Sequence, residues 1–117
     1  MTSRDAEAFL EDVVVSARLV LRYIERLTFE EFEANSEKQD AVVHRIESIG
    51  EATTNLARLF PSVVAAIPEV PWRKISGMRN FLVHEYWAID LKLVWAVAHA
   101  EMQPLIAAIE EYRRRNP

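Results

Sequence analysis

The chain has no cysteine and only two glycines among its 117 residues. The first absence excludes a disulfide framework and any thiolate metal site. The second, with few turn clusters, points to an all-α chain and leaves no Gly-rich loop to cradle phosphates. No apolar run approaches the ~18 residues that span a bilayer. The opening stretch MTSRDAEAFLEDVVV alternates charged with apolar residues and lacks a signal-peptide core. A cytoplasmic protein with no membrane contact is the expectation. Surplus positive charge is missing too. Fourteen Lys and Arg stand against eighteen Asp and Glu, a net charge of −4, which argues against broad capture of nucleic acid on a basic face.

What is present is a globular composition, half apolar and 27% charged, long enough for one domain, residues 1–117, with a real core. The charge is uneven. Residues 1–60 carry twelve acids and seven bases, whereas residues 72–87 carry Arg73, Lys74 and Arg79 against Glu85 alone. A local positive site on an acidic body fits this pattern, and so do ordinary solvated helix faces.

Apolar periodicity predicts four main helices. The first covers residues 3–27, with Leu10, Val13, Ala17, Val20, Leu21, Ile24 and Leu27 on one stripe. Thr28 with Glu31, and Ser36 with Gln39, read as capping boxes. They open a short turn and then a second helix reaching about residue 60, with Val42, Ile46, Ile49, Leu56 and Leu59 inward. Pro61, Pro68 and Pro71 punctuate a connector with room for one helical turn. The third helix is WRKISGMRNFLVHEYW, residues 72–87. Asp90 caps a fourth, whose stripe includes Leu91, Val94, Trp95, Ala98, Met102, Leu105, Ile106 and Ile109 and which Pro104 should kink. The tail EEYRRRNP reads as polar and frayed. The expected fold is an antiparallel up-and-down four-helix bundle with one or two extra short helices.

Gly50 and Gly77 both fall inside helical pattern, where each costs ~1 kcal/mol relative to Ala. Close approach of another backbone, as at a crossing of the second and third helices, or of a ligand, would compensate.

The third helix raises the functional question, because an apolar segment carries Arg79, His84 and Tyr86 within eight residues. On a wheel of ~100° per residue, Arg73, Gly77, Asn80 and His84 form a polar strip, while Arg79 lies among apolar residues. A guanidinium there must snorkel or pair, and Glu47 and Glu51 near Gly50 are partner candidates. Arg79 and His84 stand about 140° apart on that wheel, so only the long Arg side chain or a disturbed helix end could bring them together. His can serve as general acid or base, and Arg can hold a phosphate and stabilise charge on its oxygens. The pair suits metal-free phosphodiester cleavage using the 2′-OH of RNA. A two-fold dimer would supply the second His that an acid–base pair needs. From spacing alone, a structural explanation, such as a plain dimeric bundle with Arg79 in a buried ion pair, is the commoner one. His44 and His99 read as surface or satisfied core residues, and the three Trp could stack bases or pack the core.

At these residues the chain resembles a known family. RNFLVHEY matches R-x-x-x-x-H-x-Y, the motif of HepT-type toxins in the HEPN superfamily. EKQDAVVHRIESIGEA and VPWRKISGMRNFLVHEYWAID resemble the family's flanking patterns, with His44 and Arg45 standing where Ile-Arg is commoner. The resemblance implies a HEPN bundle that dimerises and forms a composite, metal-independent endoribonuclease site. Arg79 and His84 would be catalytic, with Asn80, Arg73 and Glu51 in support. It implies no cofactor, an RNA substrate with tRNA among the candidates, and an MNT-type nucleotidyltransferase antitoxin that transfers AMP to Tyr86. The alternative within the family is a non-catalytic HEPN protein that binds a nucleotide or docks the transferase.

Overall fold

A computed structural model describes residues 3–78, 80, 83–84 and 88–117, with side chains at all of these except Val83, His84 and Ala88. The expected all-α, HEPN-like bundle is observed. Helix α1 (Arg4–Ile24) starts at Ser3, whose hydroxyl accepts from the Ala6 N–H at 3.1 Å. It stops at Ile24, short of residue 27, because Arg26 adopts a left-handed conformation (φ 67°) that turns the chain. The Thr28 capping box then opens α2 (Phe29–Glu33). The Glu31 N–H donates to the Thr28 hydroxyl, and the Thr28 N–H donates to the Glu31 carboxylate.

Helix α3 (Ser36–Leu59) is the longest. Its cap is Asn35, not Ser36: the Asn35 side chain accepts from the Lys38 N–H at 3.0 Å. Gln39 instead donates to the carbonyls of Phe32 and Glu33 and satisfies the end of α2. Leu59, expected inward, is 48% exposed on the last turn. Pro61 starts α4 (Pro61–Ala65), the expected turn of the connector.

The third helix is where the sequence expectation fails. Helix α5 covers only Trp72–Ser76, and Gly77 caps it, its N–H donating to the Arg73 and Ile75 carbonyls. Met78 and Asn80 are still helical, with the Asn80 N–H bonded to the Gly77 carbonyl. By Val83 the chain is extended. Strand β1 (Val83–His84) pairs antiparallel with β2 (Ala88–Ile89), Val83 opposite Ile89 and His84 opposite Ala88. A continuous helix over residues 72–87 is therefore incorrect. The glycine serves as a helix end rather than an interior crossing point, and the β-branched Val83 and Ile89 suit an extended pair.

Asp90 caps α6 (Leu91–Ala100), accepting from the Leu93 N–H at 3.1 Å. Glu101 interrupts the path before α7 (Met102–Arg115). Pro104, in the first turn of α7, has no N–H for the carbonyl four residues back, so the expected kink takes the form of a break. The tail is not frayed. Helix α7 continues to Arg115, with Tyr112 buried and Arg113 donating to Glu7 and Glu11 of α1 and to Glu110.

The core lies where α1, α3, α6 and α7 meet. Leu10, Val13, Ala17 and Val20 pack with Val42, Ile46, Ile49 and Leu56, closed by Val94, Ala98, Met102 and Ile109. Helix α5 packs against the outer side of α3 and adds Ile75 to this core. That contact fixes the ground from which the 77–84 segment departs.

Candidate functional site

The segment that carries the motif begins at the α3–α5 contact. A Cβ placed on Gly50 would lie 3.3 Å from the Ser76 carbonyl oxygen. Gly50 thus permits the close backbone approach expected of it. Hydroxyl groups bind the contact on either side. Ser76 Oγ donates to Thr53 Oγ1 at 3.1 Å, and Thr53 and Thr54 both donate to the Gly50 carbonyl, at 3.1 and 2.7 Å. Thr53 is fully buried, so its pairing is what makes its burial tolerable.

Beside this contact lies a cavity of about 420 Å³, lined by Glu47, Gly50, Glu51, Thr54, Asn55, Ser76 and Asn80. Glu47, Gly50, Glu51 and Thr54 follow the three-and-four spacing of one helix face. Glu51 and Asn55 also line a neighbouring cavity of about 350 Å³ against α1, with Asp12, Ser16, Arg45 and Ser48. Arg73 lines a third, of about 500 Å³, with Ala57, Val64, Trp72, Gly77 and, shared with the first, Thr54 and Ser76. A groove therefore follows α3, acidic and hydroxyl-lined at its middle and apolar where α4 and α5 close it.

Of the residues singled out from sequence, Asn80 and Glu51 share one cavity, and Arg73 lines the next. His84 lies on β1, where its backbone position opposite Ala88 is described and its side chain is not. Arg79 and Tyr86 lie outside the described residues, as does any pairing of Arg79 with Glu47 or Glu51. Because His84 lies on a strand, the wheel angle relating it to Arg79 no longer applies. Among the described residues neither Glu47 nor Glu51 has an ion-pair partner. His99 is a satisfied surface residue, its Nδ1 donating to the Trp95 carbonyl at 2.9 Å and its ring packed on Trp95. His44 is exposed on α3, away from these cavities. Among the described residues, no three or more His, Asp or Glu side chains are placed to hold a metal ion.

Thr53, Thr54, Asn55 and Ser76 were not singled out from sequence. Their signal was the polar run ATTN following Gly50, whose members return to the glycine's face at 53 and 54. Chemically, this part of the groove offers carboxylate and hydroxyl acceptors to a ligand's N–H and O–H groups. It repels phosphate, which is better served at the Arg73 end.

A helical bundle with a polar cavity that Asn80 helps to line, in a chain carrying the sequence R-x-x-x-x-H-x-Y, defines the class. The family described as "Ribonuclease HepT-like" matches residues 14–112, and the chain belongs to it. It is similar to "Putative RNase MJ1380" of Methanocaldococcus jannaschii, with 33% identity over 110 residues, 94% of this chain and 98% of that protein. It is also similar to "Probable ribonuclease HepT" of Thermococcus cleftensis, with 30% identity over 111 residues, 95% of this chain and 98% of that protein. No solved structure matches the chain significantly.

Proposed function

We propose that this chain is the toxin of a toxin–antitoxin pair, a homodimeric endoribonuclease that cleaves RNA without a metal ion. In this reading a nucleotidyltransferase antitoxin silences it by transferring AMP to Tyr86. The observation that carries the reading is the conjunction of the Arg79–His84–Tyr86 motif with family membership along most of the chain. The relatives' printed names, which describe ribonucleases, support it.

The chemistry follows from the residue types. His84 of one copy takes the proton of a ribose 2′-OH. The freed oxygen attacks the adjacent phosphorus, and the bond to the 5′-oxygen breaks. His84 of the second copy, protonated, gives that oxygen its proton. The products are a 2′,3′-cyclic phosphate and a 5′-hydroxyl. Arg79 stabilises the charge building on the phosphoryl oxygens. Asn80 and Glu51 bind N–H and O–H groups of the substrate and Arg73 a phosphate, with tRNA as one candidate target. Two copies are required because a single chain brings one such His.

Incubation of the protein with RNA in EDTA tests this. Cyclic phosphate ends should form. A DNA strand of the same sequence should stay intact for want of the 2′-OH. Arg79→Ala and His84→Ala should each lower the rate on the order of 10²–10³-fold, the usual loss for one transition-state donor. An absolute need for Mg²⁺, or no cleavage by pure protein at any concentration, would overturn the reading in favour of a non-catalytic partner of the transferase.

A further inference from the structure

The three tryptophans divide by environment. Trp95 is embedded in an aromatic cluster with Phe29, Phe32 and His99. Trp87 lies outside the described residues. Trp72 is different. It is half-buried and lines the 500 Å³ cavity between α3, α4 and α5. Its indole N–H already donates to the Ile67 carbonyl at 2.9 Å. The ring is therefore held in place with its polar atom satisfied, and what remains to offer a ligand is π surface.

The rest of the lining has the same character. Ala57, Val64 and Gly77 supply small or apolar walls, and the single charged residue is Arg73. Arg73 is exposed and has no ion-pair partner among the described residues, whereas its neighbour Lys74 is bound to Glu101. A mostly apolar cavity with one unpaired cation in its lining, on a chain of net charge −4, complements a nucleotide: the base enters and the attached phosphate meets the guanidinium. The position fits as well. This cavity shares Thr54 and Ser76 with the one containing Asn80, and Trp72 precedes Arg79 by seven residues.

We propose that this cavity is a nucleobase subsite for RNA, with Trp72 as the stacking surface and Arg73 as the phosphate contact beside it. The proposal rests on the ribonuclease reading for its ligand. Stacking on an aromatic ring is tolerant of base identity, because every base has a π face. The subsite thus adds affinity and register along the strand while leaving choice of base to the polar cavity next to it.

The test uses the full-length chain and a fully 2′-O-methylated oligoribonucleotide, which cannot be cleaved, with binding followed by fluorescence anisotropy. Trp72→Leu should weaken binding about tenfold, a loss typical of one stacked base. Because that change also removes the bond to Ile67, Ala57→Leu is the second variant. It fills the slot from α3 while leaving Trp72 and Arg73 in place, and should weaken binding similarly with an unchanged circular dichroism spectrum. One abasic substitution in the oligonucleotide should weaken wild type by a like factor and alter Trp72→Leu less than twofold, since both remove one contact. Arg73→Ala should lower the salt dependence by about one counterion.

Binding by folded Ala57→Leu within twofold of wild type, or fully additive abasic and Trp72 effects, would overturn the proposal. So would a change in dimerisation of Ala57→Leu with RNA affinity unaltered, which would make the cavity an interface between copies. Cleavage of ordinary RNA, measured alongside, separates the two readings. A chain that binds as described yet never cleaves keeps the subsite and loses the ribonuclease. One that cleaves equally well with the slot filled loses only the subsite.

Discussion

At the scale of single residues, Gly50 is where the backbones of α3 and α5 approach closely. Alanine there would gain ~1 kcal/mol of helix propensity, but its methyl would press on the Ser76 carbonyl at 3.3 Å. That oxygen belongs to backbone and yields little, so the two effects nearly cancel. Gly50→Ala should change stability by less than about 1 kcal/mol in urea unfolding. Gly50→Val, which adds two more carbons against the same oxygen, should destabilise by about 2 kcal/mol or more, and α5 should detach before the rest unfolds. Tyr86 makes a separate test of the regulatory part of the proposal. A phenol of pKa near 10 is a poor acid or base at neutral pH, so its proposed use is as the acceptor of AMP. Tyr86→Phe should keep ribonuclease activity and escape silencing when co-expressed with the transferase. Mass spectrometry finding AMP on another residue would assign the acceptor wrongly here.

At the scale of elements, the legibility of the chain follows the reach of the interactions. Helices α1, α3 and α6 were readable because their stripes are local, and so are the caps Thr28 of α2 and Asp90 of α6, which bond to N–H groups three residues on, although the cap of α3 proved to be Asn35. The 72–87 segment was not. Ile75, Met78, Leu82 and Val83 satisfy a helical period, and only Gly77 hinted at the end that the structure places there. Two-residue strands are too short to have a period of their own, and their pairing is set between chain segments. The candidate site shares that limit: its residue types were legible in the motif, while the hydroxyls of Thr53, Thr54 and Ser76 come together only through the α3–α5 contact. The end of α7 failed for the same reason. EEYRRRNP looks unstructured until Arg113 is set against Glu7 and Glu11 of α1. Partial burial works against charge on Arg113, but its hydrogen bonds to Glu11, Glu7 and Glu110 outweigh that and push its pKa further above the ordinary range. The sign follows: the raised value means that the stabilisation is fully present below the unfolded-state pKa and is lost only in strong alkali, so Arg113 itself makes no pH dependence near neutrality. With the carboxylates partly exposed, Arg113→Met should cost roughly 1 kcal/mol in low salt and less in high salt, read from denaturation midpoints.

At the scale of the whole molecule, the proposed catalysis requires two copies, since each brings one motif His. The expected species at micromolar concentration is a dimer joined through the segment that carries residues 79–84. Light scattering should report it, and an excess of His84→Ala chains should suppress the wild type, because a mixed dimer keeps only one of the two His84 groups that the site draws on. A fully active monomer would contradict this arrangement.

The bond between Arg113 and Glu7 has a consequence for how the chain is made. The partners are 106 positions apart, so α1 leaves the ribosome long before α7, a second helix that packs on it, exists. Until α7 is synthesised, α3 is the main cover of α1, and the part of the core that α7 closes stays open to solvent, chaperones or proteases. A message cut short before residue 102 would yield a chain that has the whole motif yet cannot close its core. The order of synthesis would then hold back the proposed ribonuclease activity until α7 has been translated.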